Sequence, residues 1–181
     1  MSAPAIQDWD RADAATVRLS PAAFRDLPDA IRAELARRQC TIPQSPFESQ
    51  PANVISGRFI SATSRDWAVL CSSNRTSRIL VFRDGSTRVV DELGAAEDKT
   101  FLQVIADGVP GFSRALAPAD AAYIRRHHDP RTGIQLPVLD HDGINDVFVE
   151  KGSVVWFWNS RQWLQLQGAD APGASAARVG S

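Results

Sequence analysis

The residues best placed to do chemistry in this chain lie in one short run, Leu139-Asp140-His141-Asp142-Gly143-Ile144-Asn145-Asp146, which leads into the β-rich stretch Val147-Phe148-Val149. Carboxylates beside a glycine make turns by accepting backbone N-H bonds. Carboxylates beside an imidazole are also what a metal-dependent hydrolase uses to hold an ion and activate water, so Asp140, His141 and Asp142, joined by His127 or His128, define one enzymatic reading. His127 and His128 are adjacent at the end of a predicted helix, where neighbours project about 100° apart and do not form the one-face i, i+4 metal pair. A helix C-terminus favours cationic histidine in any case. Nucleophilic and phosphate chemistry find no motif. There is no Gly-x-Ser-x-Gly elbow, and Gly108-Val109-Pro110-Gly111 contains a proline without a backbone N-H and is followed by no Lys-Ser/Thr. No catalytic residue is assigned, and a non-enzymatic reading leads.

The acidic run resembles the Asp-x-Asp-Gly-x-x-Asp loop of FG-GAP and VCBS-type β-propeller repeats, which precedes a strand and commonly holds calcium. By that resemblance Asp140, Asp142 and Asp146 are calcium ligands and Gly143 permits the sharp turn between them. The sequence departs from the fuller motif at Val138, where the family carries a further acidic or amide ligand. An upstream stretch, Arg58 to Asp66, retains only the last acid and implies no calcium site. A weak internal repeat accompanies the likeness: Asp66 to Leu70 lies over Asp146 to Glu150, and Arg78 to Phe82 over Val154 to Trp158. Propellers need several blades of about four strands each, and this chain has room for two at best.

Aromatic residues offer a second candidate site. Trp156 and Trp158 alternate with Val155 and Phe157, and Trp163 follows across a short loop, so Trp156, Trp158, Trp163 and Gln165 share one face. Val155, Phe157, Leu164 and Leu166 share the other, which is the core face. The tryptophan face has two readings: a second core layer beneath the second helix or the N-terminal arm, or an open platform that stacks a sugar ring or a partner's side chain.

Elements that must position these residues are legible in outline. Ser20-Pro21 and Leu27-Pro28-Asp29 are helix starts, and Ile31 and Leu35 give a helix its inner stripe from about Pro28 to Arg38. Pro43, Pro46 and Pro51 carry an extended connection. Strands are predicted at 54–59, 66–71, 78–82, 87–92, 101–106 and 112–116, with Asp84-Gly85 as a hairpin signal. Ala117-Pro118-Ala119-Asp120 opens a second helix to about Arg126, and the last strands fall at 146–151, 153–158 and 162–166. The expected fold is α+β, a mainly antiparallel sheet of blade-like hairpins flanked by two short helices. Residues 1–19 form an N-terminal arm anchored by Trp9, 20–167 one domain, and 168–181 a disordered tail poor in apolar bulk.

Composition sets the outer limits. Twenty Lys and Arg oppose 21 Asp and Glu, for a net charge of -1, so no overall field gathers nucleic acid. No apolar run approaches the roughly 20 residues of a membrane span. Cys40 and Cys71 form either a disulfide or two buried thiols, and their number and spacing argue against structural zinc. The opening residues lack a secretory signal pattern, so the chain is read as periplasmic or secreted with its signal removed, the cytosol being the alternative. Together these features describe an exported binding protein for a protein or glycan; a metal-dependent hydrolase and a structural component of a larger assembly are the rivals.

Overall fold

The computed structural model describes residues 8–105 and 108–170. Along the chain lie α1 (Trp9–Ala15), β1 (Arg18–Leu19), α2 (Asp29–Arg37), β2 (Ile42–Pro43), β3 (Val54–Gly57), β4 (Asp66–Ser73), β5 (Thr76–Phe82) and β6 (Val90–Glu97). Then follow β7 (Leu102–Val104), β8 (Pro110–Phe112), β9 (Arg114–Ala119), α3 (Ala121–His127), β10 (Gly143–Phe148), β11 (Gly152–Asn159) and β12 (Gln162–Asp170). The α+β antiparallel expectation is borne out, with three short helices rather than two. The extra helix, α1, lies in the predicted arm and is capped by the Asp8 carboxylate, which accepts from Arg11 N.

Two four-stranded antiparallel meanders, in the orders β3-β4-β5-β6 and β12-β11-β10-β9, face each other as a sandwich. Period-two alternation decides which side chains go where. In the first sheet Ala68, Leu70, Ile79 and Val81 point inward to meet Leu116, Ile144, Trp156 and Trp163 of the second. Val69, Cys71, Leu80 and Phe82 point outward beneath Ile31 and Leu35 of α2. Val155, Phe157 and Leu166 form the outer face of the second sheet, beneath Ile124 of α3. The result is a four-layer α/β/β/α arrangement. Its sheets have the same strand order, so the weak repeat read from sequence corresponds to equivalent strand pairs, β4–β5 and β10–β11.

Several boundaries differ from the expectation for identifiable reasons. Residues 117–119 belong to β9, and α3 starts one residue beyond Asp120, whose carboxylate accepts from Tyr123 N at 2.7 Å. Here the cap, not the proline, sets the helix start. The strand predicted at 87–92 instead runs from Val90 to Glu97. Pairing with β5 carries the weak strand formers Gly94-Ala95-Ala96 through a register shift at Gly94, whose φ is 56°. β10 begins at Gly143, earlier than predicted, and β12 continues to Asp170, past the predicted start of the tail. Ala106, residues 1–7 of the arm and residues 171–181 of the tail lie outside the described residues.

Ion pairs fasten the outer helix. Glu34 on α2 takes hydrogen bonds from Arg37 and Arg38, which hold its carboxyl down at about 2, below its ordinary 4.5. A carboxyl depressed by folding stabilises the native state above its unfolded value, and that contribution is lost as pH falls toward the native one. The urea midpoints of wild type and Glu34→Gln are therefore expected to differ most at neutral pH and to converge between about pH 4.5 and pH 2. A gap that stays constant across that window would remove the ion pair as its cause.

Candidate functional site

The acidic loop is held by arginines and backbone amides. Asp142 N-H donates to Arg58 O at 2.8 Å, while its carboxylate accepts from Arg58 N at 3.3 Å and pairs with the Arg58 guanidinium at 3.3 Å. Asp66 completes the same loop by accepting from Phe59 N and Ile60 N at 2.8 and 2.9 Å. Consecutive amides 58, 59 and 60 thus hang on two carboxylates, one from β4 and one from the loop just before β10. This is the amide-accepting role that short acidic turns perform without an ion.

Asp146 points elsewhere. It sits within β10 and receives a two-pronged salt bridge from Arg114, Nε to Oδ1 and Nη2 to Oδ2, both at 2.8 Å. Asp140 is exposed, with His141 Nε2 at 3.8 Å. Among the described residues no group of three or more His, Cys, Asp or Glu is arranged to hold a metal. Gly143 has an ordinary φ and serves close packing instead of a left-handed turn: a Cβ there would lie 2.5 Å from Val155 Cγ1 and 3.0 Å from Trp156 O. Guanidinium groups occupy two of the three carboxylates. Thermal unfolding in chelator and in millimolar calcium is therefore expected to superimpose for wild type and for Asp142→Asn alike. A calcium-dependent rise lost in Asp142→Asn would instead make the loop an ion site.

The histidines are also engaged in structure. His141 is buried and stacks on Phe157 at 4.3 Å, with Nδ1 3.0 Å from Asp142 O and Nε2 3.0 Å from Trp158 O. His127 packs its ring 4.2 Å from that of Tyr123, with Nδ1 2.9 Å from Tyr123 O, and His128 is the C-cap of α3.

The tryptophan cluster has the predicted register, Trp158 opposite Trp163, with the rings edge to face at 5.4 Å. Trp156 and Trp163 pack against the core, as in the core-layer reading, but beneath a different element. The first sheet covers them, while α3 covers the opposite, aliphatic face. Trp156 donates Nε1-H to Asp146 Oδ2 at 3.4 Å, and Arg83 of the first sheet's rim lies 4.1 Å over the Trp158 ring. All three tryptophans are half-buried.

Sequence reasoning missed a groove of about 470 Å³ formed by α1, the proline-rich connection and the β7–β8 hairpin. Ala12, Val17, Pro46, Pro51, Val109 and Phe112 line it. Of its apolar lining, Val17 and Val109 stand 59% and 57% exposed. One wall is fixed by the Gln44 amide, which bridges the connection by donating to Ala52 O at 3.0 Å and accepting from Ala52 N at 2.8 Å. The other is fixed by buried charge: Arg18 donates to Asp13 O at 2.8 Å and to the Asp98 carboxylate at 2.7 Å, and Asp98 also accepts from Ser72 Oγ at 2.6 Å. These bonds anchor α1 to the sandwich. Pro43, Pro46 and Pro51 signalled a rigid extended segment, but its partners in the groove come from distant parts of the chain.

Cys40 and Cys71 form a disulfide with Cα atoms 5.1 Å apart, joining the segment after α2 to β4. No described helix is long and apolar enough to cross a membrane. Compared with protein-family models, curated proteins and solved structures, the chain matches none.

Proposed function

We propose that this is a non-enzymatic, exported binding protein that receives an apolar segment of a partner protein in the groove between α1, the proline-rich connection and the β7–β8 hairpin. The observation carrying this reading is a mainly apolar groove lining in which Val17 and Val109 are left exposed to solvent. A contiguous exposed apolar surface marks an interaction site, whereas isolated surface valines need no explanation. The groove has the volume of a ligand site, but the exposure of Val17 and Val109 leaves it open instead of closed around a small molecule. A glycan is favoured less, because Trp156 and Trp163 pack against the inter-sheet core and Arg83 lies over the Trp158 ring. Support for export comes from the disulfide, since such bonds persist in oxidising compartments.

The groove is expected to bind the apolar dye 8-anilinonaphthalene-1-sulfonate in the native state, with fluorescence lost cooperatively on unfolding. Val17→Asp and Val109→Asp each place a charge in the apolar lining and are expected to weaken dye binding about tenfold or more, equivalent to about 1.4 kcal/mol. Their thermal midpoints should stay close to that of wild type, because both side chains are exposed. Dye binding that is absent, or equal in wild type and both variants, would refute the groove as the binding surface.

A further inference from the structure

The sandwich has four outer edges, and they are treated differently. On one side β3 and β9 lie together, stitched by Asn53, which accepts from Leu116 N at 2.9 Å and donates to Arg114 O at 3.2 Å. On the other side β6 and β12 end their sheets. β6 carries Asp91, Glu92 and Glu97 and a register shift at Gly94, the devices that stop an edge from recruiting another strand. β12 carries fewer such devices: α3 packs against its outer face, but from Gln162 to Ala169 it has no charge and no proline, and its register shift lies at its far end, opposite Gly152 and Val154. Apart from its ladder with β11 and the bond from Ala169 N-H to Ser153 Oγ at 2.8 Å, no hydrogen bond to the β12 backbone is formed among the described residues.

We infer that β12 is a homodimerisation edge, pairing antiparallel with β12 of a second copy about a two-fold axis at Gln165. Strand addition satisfies the open row of backbone groups, and an even-numbered register keeps like faces together. Centred on Gln165, the pairing sets Leu164 opposite Leu166, Trp163 opposite Gln167, and Gln165 opposite itself, where one amide donates and the other accepts. No like charges meet. The ends favour the same occupant, because exposed Arg161 precedes β12 and exposed Asp170 closes it. Antiparallel self-pairing brings the Arg161 end of each copy to the Asp170 end of the other, and the symmetry does this twice. The two sheets then merge into one of eight strands. This edge shares no residue with the groove, so the inference stands or falls independently of the binding reading.

Sedimentation velocity from about 1 µM to about 1 mM is expected to show a monomer–dimer equilibrium. Gln165→Lys puts like charges face to face on the axis and is expected to weaken dimerisation at least tenfold with an unchanged thermal midpoint. Glu92→Gln on β6 should leave it intact. Gln165→Cys gives a thiol that meets its own copy, and mild oxidation should yield a covalent dimer, whereas Glu92→Cys should not. The protein's own cysteines are already paired. A monomer at every concentration, or a dimer indifferent to Gln165→Lys with no crosslink at position 165, would overturn the proposal.

Discussion

Asp146→Ala is expected to destabilise the fold by about 3–5 kcal/mol, the range for breaking one side of a buried ion pair. The Arg114 side chain is 1% exposed and that of Asp146 10%, so removing the carboxylate strands a guanidinium between two sheets. Arg114 is otherwise fully used: beyond Asp146 it donates to Gly94 O at 2.8 Å and Ser77 Oγ at 3.2 Å, and it lies 4.4 Å over the Phe101 ring. Those bonds cross from β9 to β5 and β6, which makes the pair a polar staple of the sandwich. Urea unfolding of Asp146→Ala should show a large fall in midpoint. The double change Arg114→Met with Asp146→Leu should recover most of it, because two apolar side chains leave no charge unpaired. A single variant as stable as wild type would show that Asp146 does not hold the sheets together.

Loss of the Cys40–Cys71 bond is expected to cost about 3–4 kcal/mol on the chain-entropy estimate for its sequence separation of 31. The bond ties the chain after α2 to β4, across an outer core containing Ile31, Leu35, Val69 and Leu80. The variant Cys40→Ala with Cys71→Ala, compared with wild type in the presence and absence of reductant, isolates the crosslink. Wild type in reductant should unfold at a midpoint close to that of the variant, whose own midpoint should not respond. A variant as stable as oxidised wild type would make the bond incidental to the fold.

Much of the fold was legible because the side-chain period of a strand is local. Val155, Phe157 and Leu166 against Trp156 and Trp163 separated into two faces as the alternation required, and the Trp158–Trp163 register followed from the short turn between them. The α2 stripe of Ile31 and Leu35 was equally readable. The candidate site was less so. The acidic loop reads the same whether its carboxylates face an ion or an arginine, and the partners that set its present geometry, Arg58 and Arg114, are remote in sequence. The groove left no periodic signal, since its walls are a short helix, an irregular proline-rich connection and a distant hairpin.

By itself, then, the sequence determined the antiparallel α+β class, the two faces of the β11–β12 hairpin and the helical stripe of α2, because side-chain period and backbone preference act over a few residues. Only the tertiary structure decided that Cys40 and Cys71 join, that Trp156 and Trp163 pack between two sheets, and that Asp142 and Asp146 receive guanidinium groups. Those outcomes depend on which distant segment arrives opposite each residue. Burial of both sheet faces sets that choice, and it has no local signature.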